Sequence, residues 1–232
     1  MLYLYYHIKG DKWIMTDLKI NNDFKRLSPE KLEELRNLEP AHIDDILGRN
    51  RAIGSEFKPF NDKRLAGTAF TVKTSAGDNL YIYAAYDFVK EGDILVVDAE
   101  GYTDRAVMGE ILIKFCEYKK LAGVIVNGSI RDVEALKDVS IPIYAIGTSP
   151  NGPYKNGPGA LNVPVTLGNI AINPGDILVG DGDGVVVLKY DELDYAVEET
   201  YKLIEKEKEI LANYDKGIFP DTSFAIEKIK NQ

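Results

Sequence analysis

Three apolar runs, DILVVDA at 93–99, LAGVIVNG at 121–128 and IPIYAIG at 141–147, alternate with helix-like stretches, and this alternation constrains the fold more than any other feature of the chain. Runs of this kind read as strands buried on both faces, which pair in parallel and need a crossover of a dozen or more residues between neighbours. The stretches 104–120 and RDVEALKD (131–138) supply those crossovers, the first as one long helix. Upstream, GTAFTVKT from Gly67 alternates and is β-branched, and DNLYIYAAYDF suits a helix opened by Asp78. The series predicts an α/β protein with helices packed on a parallel sheet.

After Pro150 the character changes to glycine, proline and short strands: the loop NGPYKNGPG, then VPVTLG, NIAINPGDILVGD and DGVVVLKY. Short β segments joined by glycine turns predict a second, largely antiparallel layer folded back on the first, giving a β/β/α sandwich. Helical additions flank it. Ser28 is a good N-cap before Pro29 and the leucine-periodic KLEELRNL, HIDDILGR follows as a short helix, and 191–213 reads as a charged helix at the surface or at a subunit contact. With 232 residues, 45% of them hydrophobic, one domain can bury a sufficient core. The expected organisation is an N-terminal extension (1–27), a β/β/α domain with its C-terminal helix (28–216) and a tail (217–232) that holds the short helical segment SFAIEKIKNQ.

A net charge of −9 and a pI near 4.9 argue against nucleic acid, whose phosphates need a basic face. The apolar opening stretch is broken by His7, Lys9 and Asp11, well short of the ~20 residues of a membrane span, and lacks the pattern of a signal peptide. The lone Cys116, inside the apolar run ILIKFCEY, reads as a core residue rather than a nucleophile; with no disulfide to form, a cytoplasmic location is expected. The two histidines, His7 and His42, lie far in sequence from the informative segments. A metal would then be held by carboxylates and water, which favours Mg2+ or Mn2+ over zinc.

If DILVVDA and GVIVNG are neighbouring parallel strands, their C-terminal ends share a crevice with the helix starts behind them, the place where open α/β sheets bind ligands. One element there is the loop DAEGYTDRAVMGE, ending at Gly109 and Glu110 with Ile111 and Leu112 behind: backbone N–H groups at a helix start attract a carboxylate, and glycine permits close approach. The other is NGSIRD, where a strand ends at Asn127-Gly128, turns, and presents Arg131 and Asp132 at the next helix start. Arg131 offers a planar fork to a carboxylate or enolate, and Asp132 a carboxylate to a divalent cation. On spacing alone, a helix cap by Asp132 and a surface ion pair by Arg131 explain the two residues equally well. Capping likewise accounts for Gly77-Asp78, a β-turn for Asp181 and Asp183, and surface polarity for His42 with Asp44 and Asp45. No dinucleotide or P-loop glycine pattern follows a strand.

Taken in order, GTAFTVKTSAGDNL, EGDILVVDAEG, Gly109-Glu110, LAGVIVNGSIRDVEAL, IPIYAIG and NPGDILVGDGDGVVVL resemble the family of the regulator of ribonuclease E activity A (RraA), over roughly residues 44–209. The most diagnostic piece is G-x-x-R-D after an apolar strand, here Gly128 to Asp132. The enzymatic branch of that family holds the 4-hydroxy-4-methyl-2-oxoglutarate aldolases, which also decarboxylate oxaloacetate. The resemblance implies a swivelling β/β/α sandwich, assembled as a homotrimeric ring or a stacked hexamer with active sites between subunits, and a Mg2+- or Mn2+-dependent retro-aldol reaction on a small 2-keto acid. It implies further that Asp132 anchors the metal and that Arg131 binds the substrate and steadies the enolate. The backbone of Gly109, Glu110, Ile111 and Leu112 would hold the pyruvate carboxylate, with Glu110 contacting the cation's waters. A glutamate from the neighbouring subunit's C-terminal helix would reach the same place; Glu207 is the nearest match, with Glu205 and Glu209 as alternatives. The competing function is that of the namesake, a non-catalytic protein-binding regulator of RNA processing, against which the Arg131-Asp132 pair counts.

Overall fold

The structure is a computed structural model that describes residues 6–9, 12–15, 20 and 22–231. Strands β1 (Tyr6–Lys9) and β2 (Lys12–Met15) pair antiparallel; the rest of the opening aromatic stretch, and the side chains of these two strands including that of His7, lie outside the described residues. Helix α1 (Pro29–Arg36) begins where the sequence places it: Ser28 Oγ accepts from Lys31 N at 3.3 Å and proline takes the first helical position. After it come α2 (Pro40–Ile46), β3 (Lys58–Pro59), β4 (Leu65–Thr74), α3 (Leu80–Ala85) and β5 (Asp93–Asp98). The chain continues through β6 (Ala106–Met108), α4 (Glu110–Tyr118), β7 (Gly123–Ile130), α5 (Val133–Leu136) and β8 (Ile143–Thr148). Short strands β9 (Gly159–Leu161), β10 (Val165–Leu167), β11 (Ile170–Ile172), β12 (Ile177–Gly180) and β13 (Val185–Leu188) lead to α6 (Leu193–Tyr214) and α7 (Ser223–Lys230).

The main sheet runs β13-β12-β4-β5-β7-β8-β3. Strands β5, β7 and β8 are parallel, as their apolar runs predict; β4 joins them in parallel beside β5, while β12 is antiparallel to both β4 and β13. Period-2 alternation sorts the side chains into three cores. On β5, Leu95 and Val97 face outward to α3 and α4, joining Ile82, Leu112 and Ile113. Ile94 and Val96 face inward and meet Leu178, Val185 and Val187 from the antiparallel strands and Val165, Leu167 and Ile172 from the β10–β11 hairpin. The outer faces of β12 and β13, with Ile177, Val179, Val186 and Leu188, are covered by Leu35, Ile43, Ala196 and Val197 around α1, α2 and α6. The molecule is therefore an α/β protein of the β/β/α kind, a mixed sheet curled over its own inner core with helices outside. Its parallel and antiparallel parts are one continuous sheet, because the ten-residue β4 pairs with β12 over Leu65–Thr68 and with β5 from Thr68 to Lys73.

Three local readings are corrected. The expected long helix over 104–120 is split: residues 106–108 pair with β7 as β6, Gly109 is extended, and the helix starts only at Glu110. Ala106, Val107 and Met108 are all buried, and a run with no polar face carries no period to separate helix from strand. The strand expected to turn at Asn127-Gly128 continues to Ile130, absorbing a register irregularity between Val126 and Ser129. The helix expected from Asp78 spans only Leu80–Ala85. Cys116 is buried in the outer core, and burial pushes its thiol up to about 12, which fits the core reading. Among the described residues no helix is long and apolar enough to cross a membrane.

Candidate active site

The C-terminal ends of the parallel strands open into a small cleft of about 90 Å³, a size for a small organic acid and well below the ~300 Å³ at which drug-sized ligand pockets begin. Met108, Leu112, Asn79 and Tyr83 help line it, together with Gly109, Ile111, Arg131, Asp132 and Lys155. The central pair is delivered by backbone pairing. Arg131 N donates to Met108 O at 3.0 Å, which extends the β6–β7 ladder by one residue beyond Ile130. Asp132 then adopts a left-handed conformation, φ +62°, which aspartate tolerates better than most residues but which still costs energy.

That turn aims the Asp132 carboxylate at α4. Its side chain makes no capping bond to α5, whose N-cap it occupies; instead Oδ2 accepts from Glu110 N, the first residue of α4, at 3.1 Å. Gly109 is what makes this approach possible. A Cβ there would lie 2.5 Å from Asp132 Oδ2 and 2.9 Å from Arg131 Cγ, well inside contact distance. The side chains of Arg131 and Asp132 are 42% and 43% exposed, and Arg131 Nε stands 3.6 Å from Asp132 Oδ2, close enough for attraction but too far for a hydrogen bond. Both therefore keep most of their bonding capacity for a ligand. The N–H groups of Ile111 and Leu112 lie in the first turn of α4, where no helical carbonyl serves them, at the positive end of the helix dipole. Glu110 contributes its backbone; its carboxylate pairs with Lys114 at 2.8 Å and does not line the cleft.

The remaining sequence candidates fall elsewhere. Glu207 on α6 is held by His42 Nε2 at 2.8 Å, Glu205 pairs with Lys208 at 2.6 Å, Glu209 is exposed, and none of the three lines the cleft. His42 Nδ1 is 3.3 Å from Glu39 Oε2 but out of line for a hydrogen bond. Asp44 and Asp45 bind Arg51 N and Arg49, as surface polarity predicts. Asp181 accepts from Asp183 N at 3.0 Å inside a turn. Among the described residues no cluster of three or more His, Cys, Asp or Glu side chains forms a cage for a metal. Asp132 alone suits a hard cation such as Mg2+, which keeps several waters and needs only one or two carboxylates plus substrate oxygens.

Sequence reasoning missed Asn79, Tyr83 and Lys155. The signal for the first was Gly77 at φ +65°, a turn that sets Asp78 and Asn79 against the sheet's edge. Nothing local marks Lys155, which comes from a loop more than seventy residues downstream in the chain.

A family model described as RraA-like, Aldolase/RraA, matches residues 40–187. A protein of Halalkalibacterium halodurans that carries the provisional name 4-hydroxy-4-methyl-2-oxoglutarate aldolase is 36% identical over 158 residues, covering 68% of this chain and 75% of the relative. A Bacillus cereus protein of the same provisional name is 38% identical, covering 62% and 91%. Among solved structures, the RNA-processing inhibitor RraA from Thermus thermophilis matches with a TM-score of 0.60 at 30% identity, over 65% of this chain and 92% of that one. Streptomyces coelicolor RraAS2, described as an unusual member of the RNase ES inhibitor RraA protein family, matches with a TM-score of 0.73 at 26% identity, over 80% and 97%.

Proposed function

Because the chain belongs to the RraA-like family, we propose that it is a lyase that releases pyruvate from a 4-hydroxy-2-oxo acid, with Mg2+ or Mn2+ as cofactor and oxaloacetate decarboxylation as a side activity. The observation that carries this reading is the unsaturated Arg131–Asp132 pair facing the start of α4 across Gly109. Asp132 would hold the cation, which supplies positive charge where the enolate develops. The N–H groups of Ile111 and Leu112 bind the substrate carboxylate, and Gly109 lets it approach. Arg131 brings its planar fork to the keto oxygen and stays with that oxygen as it becomes an enolate, a contact that strengthens as charge accumulates. Met108 and Leu112 exclude water from the reacting carbons. Decarboxylation of oxaloacetate leaves the same enolate, so one set of contacts serves both reactions.

The working assembly in this reading is a homotrimer or hexamer in which Glu207 of one copy approaches the cleft of the next. The exposed distal half of α6, with Ile210 and Leu211, supports that arrangement. Pyruvate release by the purified protein from 4-hydroxy-4-methyl-2-oxoglutarate and from oxaloacetate, with Mg2+, with Mn2+ and after EDTA, is the direct test. Metal-dependent release is expected. No release under any of these conditions would overturn the lyase reading in favour of a protein-binding regulator.

A further inference from the structure

The parallel strands start around a second hollow, at the end of the sheet opposite the cleft. Gly123, the first residue of β7, shows how closely those starts converge: a Cβ there would run into Leu65 Cδ1 of β4 and lie 2.9 Å from Pro142 Cγ, just before β8. The hollow encloses about 400 Å³, within the range of small-molecule sites. Leu121 and Ala122 lead into β7, Ile141 and Pro142 lead into β8, and all four are buried, which gives the hollow an apolar floor. The eight residues of β7, roughly 26 Å of strand, separate it from Arg131 and the cleft.

The rim is cationic. Lys63 and Arg64 stand directly before β4 and Arg36 in the last turn of α1, and although the chain carries 37 acidic against 28 basic side chains, no acidic residue lines the hollow. Among the described residues these cations keep most of their donors free. Arg64 Nη2 donates to Leu38 O at 2.9 Å and stands 3.7 Å from Asp181 Oδ2, beyond hydrogen-bond reach. Arg36 makes one long bond, to Glu33 at 3.4 Å, and Lys63 has only its chain neighbour Asp62, at 2.9 Å. Glu33 and Asp62 are 68% and 87% exposed, so solvent screens both pairs. The segment bearing Lys63 and Arg64 is fastened beside β8, since Phe60 N donates to Ile143 O and Asn61 Nδ2 to Ile141 O, each at 2.8 Å. Cations presented on a fastened backbone lose little freedom on pairing with an anion.

We infer that this hollow is a binding site for an aromatic dicarboxylate, separate from the cleft. Arg36 and Arg64 each take one carboxylate, Lys63 adds a third positive charge, and the ring lies on the floor of Leu121, Ala122, Ile141 and Pro142. Two planar guanidinium forks match two planar carboxylates. The apolar floor rewards a ring, whose face gives up more water on burial than a short linear chain does. No bond is made or broken, and the site stands whether or not the protein is a lyase.

Calorimetric titration of the full chain with benzene-1,3-dicarboxylate, benzoate and glutarate tests the site. The aromatic diacid should bind about tenfold more tightly than benzoate, the scale of one charge-assisted contact, and about tenfold more tightly than glutarate, which lacks the ring. Arg36→Met should bring the aromatic diacid down to the level of benzoate. Glu33→Gln, at an exposed position where the fold is not at stake, should tighten it about two- to threefold by removing a competing carboxylate. Arg131→Met, in the cleft, should leave its affinity unchanged. No saturable binding up to about 10 mM, or equal affinity for all three acids, would overturn the proposal. So would binding that ignores both Arg36→Met and Glu33→Gln, and a loss in Arg131→Met would move the binding to the cleft and empty this site of its role.

Discussion

Two of the arginine–aspartate pairs among the described residues are of opposite design. Arg26 and Asp93 are saturated: Nε meets Asp93 Oδ1 at 2.8 Å, a terminal nitrogen meets Oδ2 at 3.1 Å, Lys90 N adds a third bond, and Arg26 also binds Asn22 and lies over the Phe24 ring. The Asp93 side chain is fully buried. Arg131 and Asp132 are unsaturated, since among the described residues the Arg131 guanidinium donates no hydrogen bond and Asp132 accepts one, from Glu110 N. The first pair locks the segment around residues 22–27 onto β5; the second holds its capacity open at a cleft. The same two residue types serve as fastening or as chemistry, and bonding already satisfied inside the fold tells them apart.

Mutations should separate the two pairs along that line. The largest effect is expected from Asp132→Ala: pyruvate release falls by on the order of a thousandfold, while stability falls by only about 1–2 kcal/mol, the cost of alanine in a left-handed conformation and of the lost bond from Glu110 N. A folded variant with normal turnover would dissolve the contrast. Asp93→Ala should do the converse, leaving Arg26 uncompensated and costing about 3–5 kcal/mol, read as a lowered urea midpoint with kcat unchanged in the folded fraction. Gly109→Ala sharpens the comparison with a smaller effect. Its new methyl group must push Asp132 and Arg131 aside, so kcat/KM should drop by roughly ten- to a hundredfold at nearly unchanged stability. Activity close to wild type there would mean that the tight approach across Gly109 is incidental.

Much of this was legible in the chain. The apolar runs behind β5, β7 and β8 named their own pairing, because a strand buried on both faces has no polar alternation to confuse it. The Ser28-Pro29 start of α1 and the Arg131-Asp132 pair were equally readable. What stayed hidden depends on long-range contacts. Ala106–Met108 becomes a strand only because β7 offers an edge. Asp132 turns toward α4 rather than capping α5 through one left-handed residue. Asn79 and Lys155 meet only because Asp78 ties down a loop nearly eighty residues away. No local pattern carries those facts, and they decide what the cleft can hold.

The position of β4 at the seam of the sheet also has a consequence for synthesis. Its edge at Leu65–Thr68 is completed by Ile177–Gly180, more than a hundred residues later in the chain. While the protein emerges from the ribosome, the parallel half has its strands in hand but one flank unpaired, with Leu65 and Ala69 uncovered on the face that the late strands will close. The nascent chain must carry that open edge until Ile177–Gly180 appear, and this interval is when the edge is most vulnerable to pairing with another chain.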